Sequence, residues 1–154
     1  MTIRRAQPID ANALASLLIR SIRELCGPDY DMDESLIGPW CANKTPENML
    51  AWMANPNSYF IVVEDEGMIR GTGNVTKTGH IVLCYLLPGE QGKGYGAALL
   101  NAMIEFARES GVAEMTLEST RTAREFYLHH GFDEVDEVKC AGSVPGYKMS
   151  MKLG

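Results

Sequence analysis

The chain has 154 residues, 45% of them apolar and 22% charged, the balance of a soluble globule large enough to bury a core of its own. Its 14 Lys and Arg against 20 Asp and Glu give a formal charge of −6. That speaks against a nucleic-acid partner, which asks for a basic face, and is compatible with a cationic small substrate. No apolar run approaches the ~20 residues of a membrane span, and the first residues lead straight into a strand-like segment rather than a signal peptide. The four cysteines, Cys26, Cys41, Cys84 and Cys140, are widely spaced and show no zinc-site pattern. The expectation is one domain over residues 1–154, in a reducing cytoplasm, with no metal.

In chain order, residues 3–6 read as a short strand. Asp10 is placed to cap a helix whose stripe is Leu14, Leu17, Leu18, Ser21, Ile22 and Leu25, stopped by Gly27-Pro28. Residues 28–44 read as irregular, with Asp29, Asp31, Asp33 and Glu34 crowded beside Tyr30 and Trp40. Thr45 caps a second helix with Pro46 at its first position, ended by Asn55-Pro56-Asn57. An antiparallel meander follows: 59–63, a turn at 65–67, 68–76, a turn at 77–79, and 80–87. A helix after Gly96 carries Leu99, Leu100, Met103, Phe106 and Ala107 and ends at Gly111. A strand over 115–119 makes the connection from 80 to 119 a parallel crossover. Thr122 and Glu125 fit a capping box for a short helix ending at Gly131. Residues 132–138 and 147–153 read as a closing hairpin with its loop at 142–146.

The chain is organised around Leu86-Leu87-Pro88-Gly89-Glu90-Gln91-Gly92-Lys93-Gly94-Tyr95-Gly96-Ala97. An apolar strand ends, glycines alternate with Lys93 and Tyr95, and an apolar helix repeat begins. The first amides of a helix have no intrahelical partner and carry partial positive charge, and glycines let the backbone approach a ligand, so residues 91–97 suit a phosphate or pyrophosphate. Gly94 is followed by Tyr95, not by the Lys-Ser/Thr of a P-loop, and the dinucleotide pattern G-x-G-x-x-G fails at Leu99. What fits is Q-x-x-G-x-G-A, at Gln91, Gly94, Gly96 and Ala97. Further on stands Ala123-Arg124-Glu125-Phe126-Tyr127-Leu128-His129-His130-Gly131-Phe132, an A-x-x-F-Y-x-x-x-G-F pattern.

The two motifs, in this order and at this distance, resemble those of the GNAT superfamily of N-acetyltransferases. The match is specific over residues 80–132 and rests on element order before residue 58. The resemblance implies an α/β fold, a central mixed sheet flanked by about four helices, with a splayed strand pair forming an acetyl-CoA cleft. It implies acetyl-CoA as cosubstrate, its pyrophosphate on Gln91, Gly92, Lys93, Gly94, Tyr95, Gly96 and Ala97. Its pantetheine would run along the backbone near Leu86, and amides freed by a strand kink near Cys84 to Leu86 would hold the thioester oxygen. The reaction implied is direct attack by a primary amine of a small molecule or peptide, with Tyr127 as general acid toward the departing thiolate. His80 stands where the histone-acetylating branch has a Glu base. A base role and a solvated His after a turn both fit it, with Glu118 or a water chain as alternatives. The family's Asn before the last helix is here Thr120. Cys84 reads as a buried inert thiol rather than a nucleophile, and His129-His130 as no metal site. The second class of function is a coenzyme A-binding sensor without turnover. A monomer and a homodimer are both compatible with the sequence.

Overall fold

The computed structural model describes residues 1–139 and 144–154. Its sheet has seven strands in the order β1-β2-β3-β4-β5-β7-β6. They are β1 Thr2–Arg5, β2 Ser58–Asp65, β3 Met68–Thr76, β4 His80–Leu86, β5 Glu114–Thr120, β6 Asp133–Lys139 and β7 Pro145–Lys152. Neighbours are antiparallel except β4 and β5, which run parallel. The helices are α1 Ala11–Arg20, α2 Glu34–Cys41, α3 Pro46–Met53, α4 Tyr95–Glu109 and α5 Arg124–His129. This is the expected mixed sheet and crossover. Of the expected hairpin loop at 142–146, residues 142 and 143 lie outside the described residues, as does Cys140, and the strand begins earlier than expected, at Pro145.

The sheet is covered on both faces, which is why β2 reads as an unbroken apolar run rather than an alternation. On one face α4 seats Leu99, Leu100 and Met103 against Ile61, Val63, Val75 and Leu117. On the other, Leu14, Leu17 and Leu18 of α1 and Met49 of α3 meet Phe60, Val62 and Leu83. A Cβ at Gly73 would lie 2.9 Å from Met103 Cε, so the glycine lets α4 sit close on β3.

Three expectations are corrected in the first half. Asp10 does not cap α1 with its side chain; its carboxylate accepts from Arg4 and from the Gln7 amide instead. The first helix does not stop at Gly27. It passes into a π-helical turn, Ser21–Cys26, and then a 3-10 turn, Gly27–Tyr30. Residues 34–41 are helical although Gly38-Pro39 predicts otherwise. Asp33 accepts from the Ser35 amide at its start, and burial of Ile37, Trp40 and Cys41 outweighs the poor propensity. These residues join Ile22, Cys26, Tyr30 and Val144 in a third core cluster. Thr45 and Pro46 start α3 as expected, with Thr45 Oγ1 accepting from the Asn48 amide.

Candidate active site

β4 and β5 pair only at His80–Thr116 and Ile81–Leu117. Beyond these positions they part, and the reason lies in β4. In its register with β3, Val75 faces Ile81 and Asn74 faces Leu83, so Val82 is an extra residue. Such a bulge bends its strand, while β5 stays paired to β7 along its whole length. The kink expected near Cys84 to Leu86 thus begins two residues earlier. The Leu87 amide donates to Arg70 O on the β3 side, and alternation turns the amides of Leu86 and Cys84 to the opposite edge, toward the cleft.

The cleft so formed has a volume of about 470 Å³, ample for an extended arm. It is lined by Gln91, Gly92, Gly94, Gly96 and Ala97 of the glycine turn, by Cys84, Leu86 and Tyr127, and by Ser21, Leu25, Cys26 and Glu118. Gly94 is the N-cap residue of α4 at φ +89°, and the first intrahelical bond runs from the Ala98 amide to Gly94 O. The amides of Tyr95, Gly96 and Ala97 therefore have no partner within the helix. The helix begins at Tyr95, one residue before Gly96.

Three of the residues expected at the site turn their side chains to other partners. Lys93 Nζ donates to Glu90. The Tyr95 side chain is buried, its hydroxyl donating to Asp65 at 2.7 Å. His80 sits at the closed end of the strand pair, Nδ1 2.8 Å from Thr116 Oγ1. None of the three is among the described residues that line the cleft.

Tyr127 is held by packing. Its ring meets Phe126 and Phe132 edge-on at centroid distances of 5.3 and 5.7 Å, and only 5% of it is exposed. Its phenol lies beside the Cys84 thiol. Burial above all, then the neighbouring Cys84, holds the phenol well above its ordinary pKa, so at neutral pH it is a protonated donor. Burial pushes the Cys84 thiol up to about 12, against the opposing pull of Tyr127; a neutral thiol is no nucleophile.

Thr122 does not cap α5: the N-cap residue is Ala123, with no side-chain cap, and Thr120 Oγ1 accepts from the Ala123 amide at 3.1 Å in the turn before the helix. The residue standing where the family has Asn thus shapes the turn that aims Tyr127. Sequence reasoning did not place Ser21, Leu25 and Cys26 at the site. Ser21 was the available signal, a polar residue on an otherwise apolar stripe. The π-helical turn carries these residues to the cleft, and such turns are common at functional sites. Phe126 of α5 and His130, the residue that follows the helix, also line the cleft. The His130 ring packs on Phe126 at 4.5 Å, with Nδ1 2.8 Å from Phe126 O. Among the described residues no group of His, Cys, Asp and Glu has the arrangement of a metal site, and no helix is long and apolar enough to cross a membrane.

The family model described as "Acetyltransferase (GNAT) domain" matches residues 30–153. No curated protein sequence matches the chain. Among solved structures, the fold is similar to a GCN5-related N-acetyltransferase from Rhodopseudomonas palustris, at TM-score 0.88 and 22% identity over 99% of this chain and 95% of that one. It is also similar to the PaiA N-acetyltransferase of Thermoplasma acidophilum in complex with coenzyme A, at 0.83 and 20% over 99% and 98%. A third is the ribosomal-protein-alanine N-acetyltransferase of Brucella melitensis, at 0.74 and 22% over 99% and 100%. With the family model covering most of its length, the chain belongs to the GNAT family of acetyltransferases.

Proposed function

We propose that this single-domain enzyme transfers the acetyl group of acetyl-CoA to a primary amine of a small molecule or peptide by direct attack, in the cytoplasm. The observation that carries the reading is the convergence in one cleft of an amide-lined glycine turn, a β4 edge with unpaired amides, and the protonated phenol of Tyr127. The turn takes the pyrophosphate. The amides of Cys84 and Leu86 hold the pantetheine and the thioester oxygen as charge builds on it. Tyr127 donates a hydrogen bond to the departing thiolate and gives it a proton. No acyl-enzyme forms, because the cleft's thiols, Cys84 and Cys26, are pushed up to about 12 and 11 by burial.

The amine must lose a proton before it attacks. Glu118 lines the cleft and His80 does not, so Glu118, or water beside it, suits the base role better. His80→Ala should leave the pH profile of kcat/KM intact; loss of an ascending limb near neutral pH would return the role to His80. Structures with this fold include a ribosomal-protein-alanine N-acetyltransferase and an aminoglycoside 6'-N-acetyltransferase, which sets a peptide and an amino sugar as the two arms of an acceptor panel. The test is thiol release from acetyl-CoA across that panel, beside a direct acetyl-CoA binding measurement. Release with at least one amine supports the enzyme. Tight binding without release from any amine would favour a coenzyme A-binding sensor.

A further inference from the structure

The glycine turn is poorly restrained by its own backbone. Gly89, Gly92 and Gly94 sit at φ of +89°, +77° and +89°, conformations that only glycine adopts without strain. A chain so free loses much entropy when it closes on a ligand. Yet Glu90, in the middle of the turn, is only 8% exposed. Its two carboxylate oxygens each meet a cation: Arg70 Nη1 at 3.0 Å on Oε1 and Lys93 Nζ at 3.1 Å on Oε2. Arg70 reaches further, its Nε donating to Asp65 O at 3.2 Å. The carboxylate of Asp65 in turn accepts from Tyr95 Oη. Asp65 and Arg70 flank the turn between β2 and β3. That turn therefore grips the coenzyme loop on both sides of Gly92–Gly94, once at Glu90 and once at Tyr95.

A carboxylate is the wrong group to touch a pyrophosphate, and this one is neutralised from two sides. Its value to an anion site is geometric. We propose that the β2–β3 turn preorganises the coenzyme loop, with Arg70–Glu90 and Asp65–Tyr95 as positioning pairs that hold the loop amides in their anion-binding arrangement. This rests on the loop's being the pyrophosphate site, as argued above. The pairs then act only on donors that carry a pyrophosphate. A thioester with the pantetheine arm alone does not engage the loop, so it does not sense the pairs.

The experiment compares acetyl-CoA with S-acetylpantetheine as donors for the parent, Glu90→Gln, Arg70→Gln and Tyr95→Phe, with melting temperatures recorded for each. The expected result is a rise of about tenfold in KM for acetyl-CoA in Glu90→Gln and Arg70→Gln, smaller in Tyr95→Phe, with kcat within about twofold. Toward S-acetylpantetheine, kcat/KM should match the parent. The double variant Arg70→Gln/Glu90→Gln should lose little more than either single one, because the two residues act as a unit. An unchanged KM for acetyl-CoA, or equal losses with both donors, overturns the proposal. So does a lowered melting temperature with unchanged kinetics. If Glu90→Gln does not fold, Tyr95→Phe, which removes one hydroxyl, carries the same comparison alone. A parent enzyme that uses both donors equally well would instead overturn the pyrophosphate reading of the loop itself.

Discussion

Two parts of the cleft lining are built from different materials. The part proposed for the coenzyme is backbone: positive-φ glycines, the open first turn of α4, and the β4 edge beyond the bulge at Val82. The part proposed for the acceptor is side chains: Ser21, Leu25 and Cys26 on a π-helical turn and Glu118 on β5. A ligand held by amides asks only that the chain take a certain path, and that path requires particular residues, chiefly glycines. A ligand held by side chains leaves no such requirement. The difference predicts where mutation hurts binding of the donor and where it hurts selection of the acceptor.

The sharpest break should come at Gly94. At φ +89° a β-branched residue is strained, and relief requires the loop to move away from its anion-binding path. Gly94→Val should weaken acetyl-CoA binding by about 100-fold by calorimetry, on the scale of the strain such residues store. Gly96→Val acts through packing instead, since a Cβ there would stand 3.2 Å from Phe126 Cε1. Parent-like affinity in Gly94→Val would show that the coenzyme part does not depend on this backbone path.

Tyr127→Phe separates chemistry from binding within the cleft. It keeps the ring packing against Phe126 and Phe132 and removes the donor. Turnover should fall by roughly 100-fold, the lower end of what a positioned acid contributes, with acetyl-CoA affinity unchanged. Equal turnover would assign thiolate protonation to water.

The same contrast explains how much could be read from the chain. The loop at Gln91–Ala97, the crossover and the placement of Tyr127 were legible because each imposes a residue pattern: glycines where φ is positive, an apolar stripe on α4, an aromatic pair before Gly131. The directions of Lys93 and Tyr95 were not: Lys93 turns back to Glu90 in the same loop, a carboxylate that Arg70 also holds, and the partner of Tyr95, Asp65, is brought to it by folding. Nor was α2, since Gly38-Pro39 argues locally for a loop and only burial against Tyr30 and Ile22 overrides it. The bulge at Val82 has no residue signature at all. It is visible only as a register shift against β3.

Tyr30 tests how the acceptor part is held. An aromatic face can hold a cation, but this one is already covered from within the protein. The ring is 2% exposed, Trp40 packs edge-on against it at 5.7 Å, and the guanidinium of Arg121 lies 5.0 Å over it. Its hydroxyl donates to Pro145 O and accepts from the Arg121 amide, tying the π-helical region to β7 and to the turn before α5. Tyr30→Phe removes two part-buried hydrogen bonds, a cost of about 1–3 kcal/mol for the pair, which should appear as a lowered melting temperature. The acceptor KM should rise while acetyl-CoA affinity stays, because the lost ties lie on the acceptor side.

The smallest effect belongs to the acidic loop. Four carboxylates crowd residues 29–34, and an acidic rim would concentrate cationic amines by long-range attraction. The structure gives two of the four other work. Asp33 accepts from the amide and hydroxyl of Ser35 at the start of α2, and Glu34 is held by Arg23 Nη1 and Nη2 at 2.8 and 2.9 Å. Substituting Asp33 would therefore confound steering with helix capping, and the clean variant is Asp29→Asn with Asp31→Asn. Exposed charges act through solvent and are screened within about 8 Å at physiological salt. The double variant should lower kcat/KM for a dicationic acceptor by about twofold at low salt, and the difference should vanish at high salt, with a neutral acceptor unaffected throughout. A loss that persists at high salt would mean that Asp29 or Asp31 touches the acceptor directly, and would extend the acceptor site from the cleft onto this loop. No loss at any salt would leave acceptor choice to the side chains of the cleft, with Glu118 the carboxylate there to substitute next.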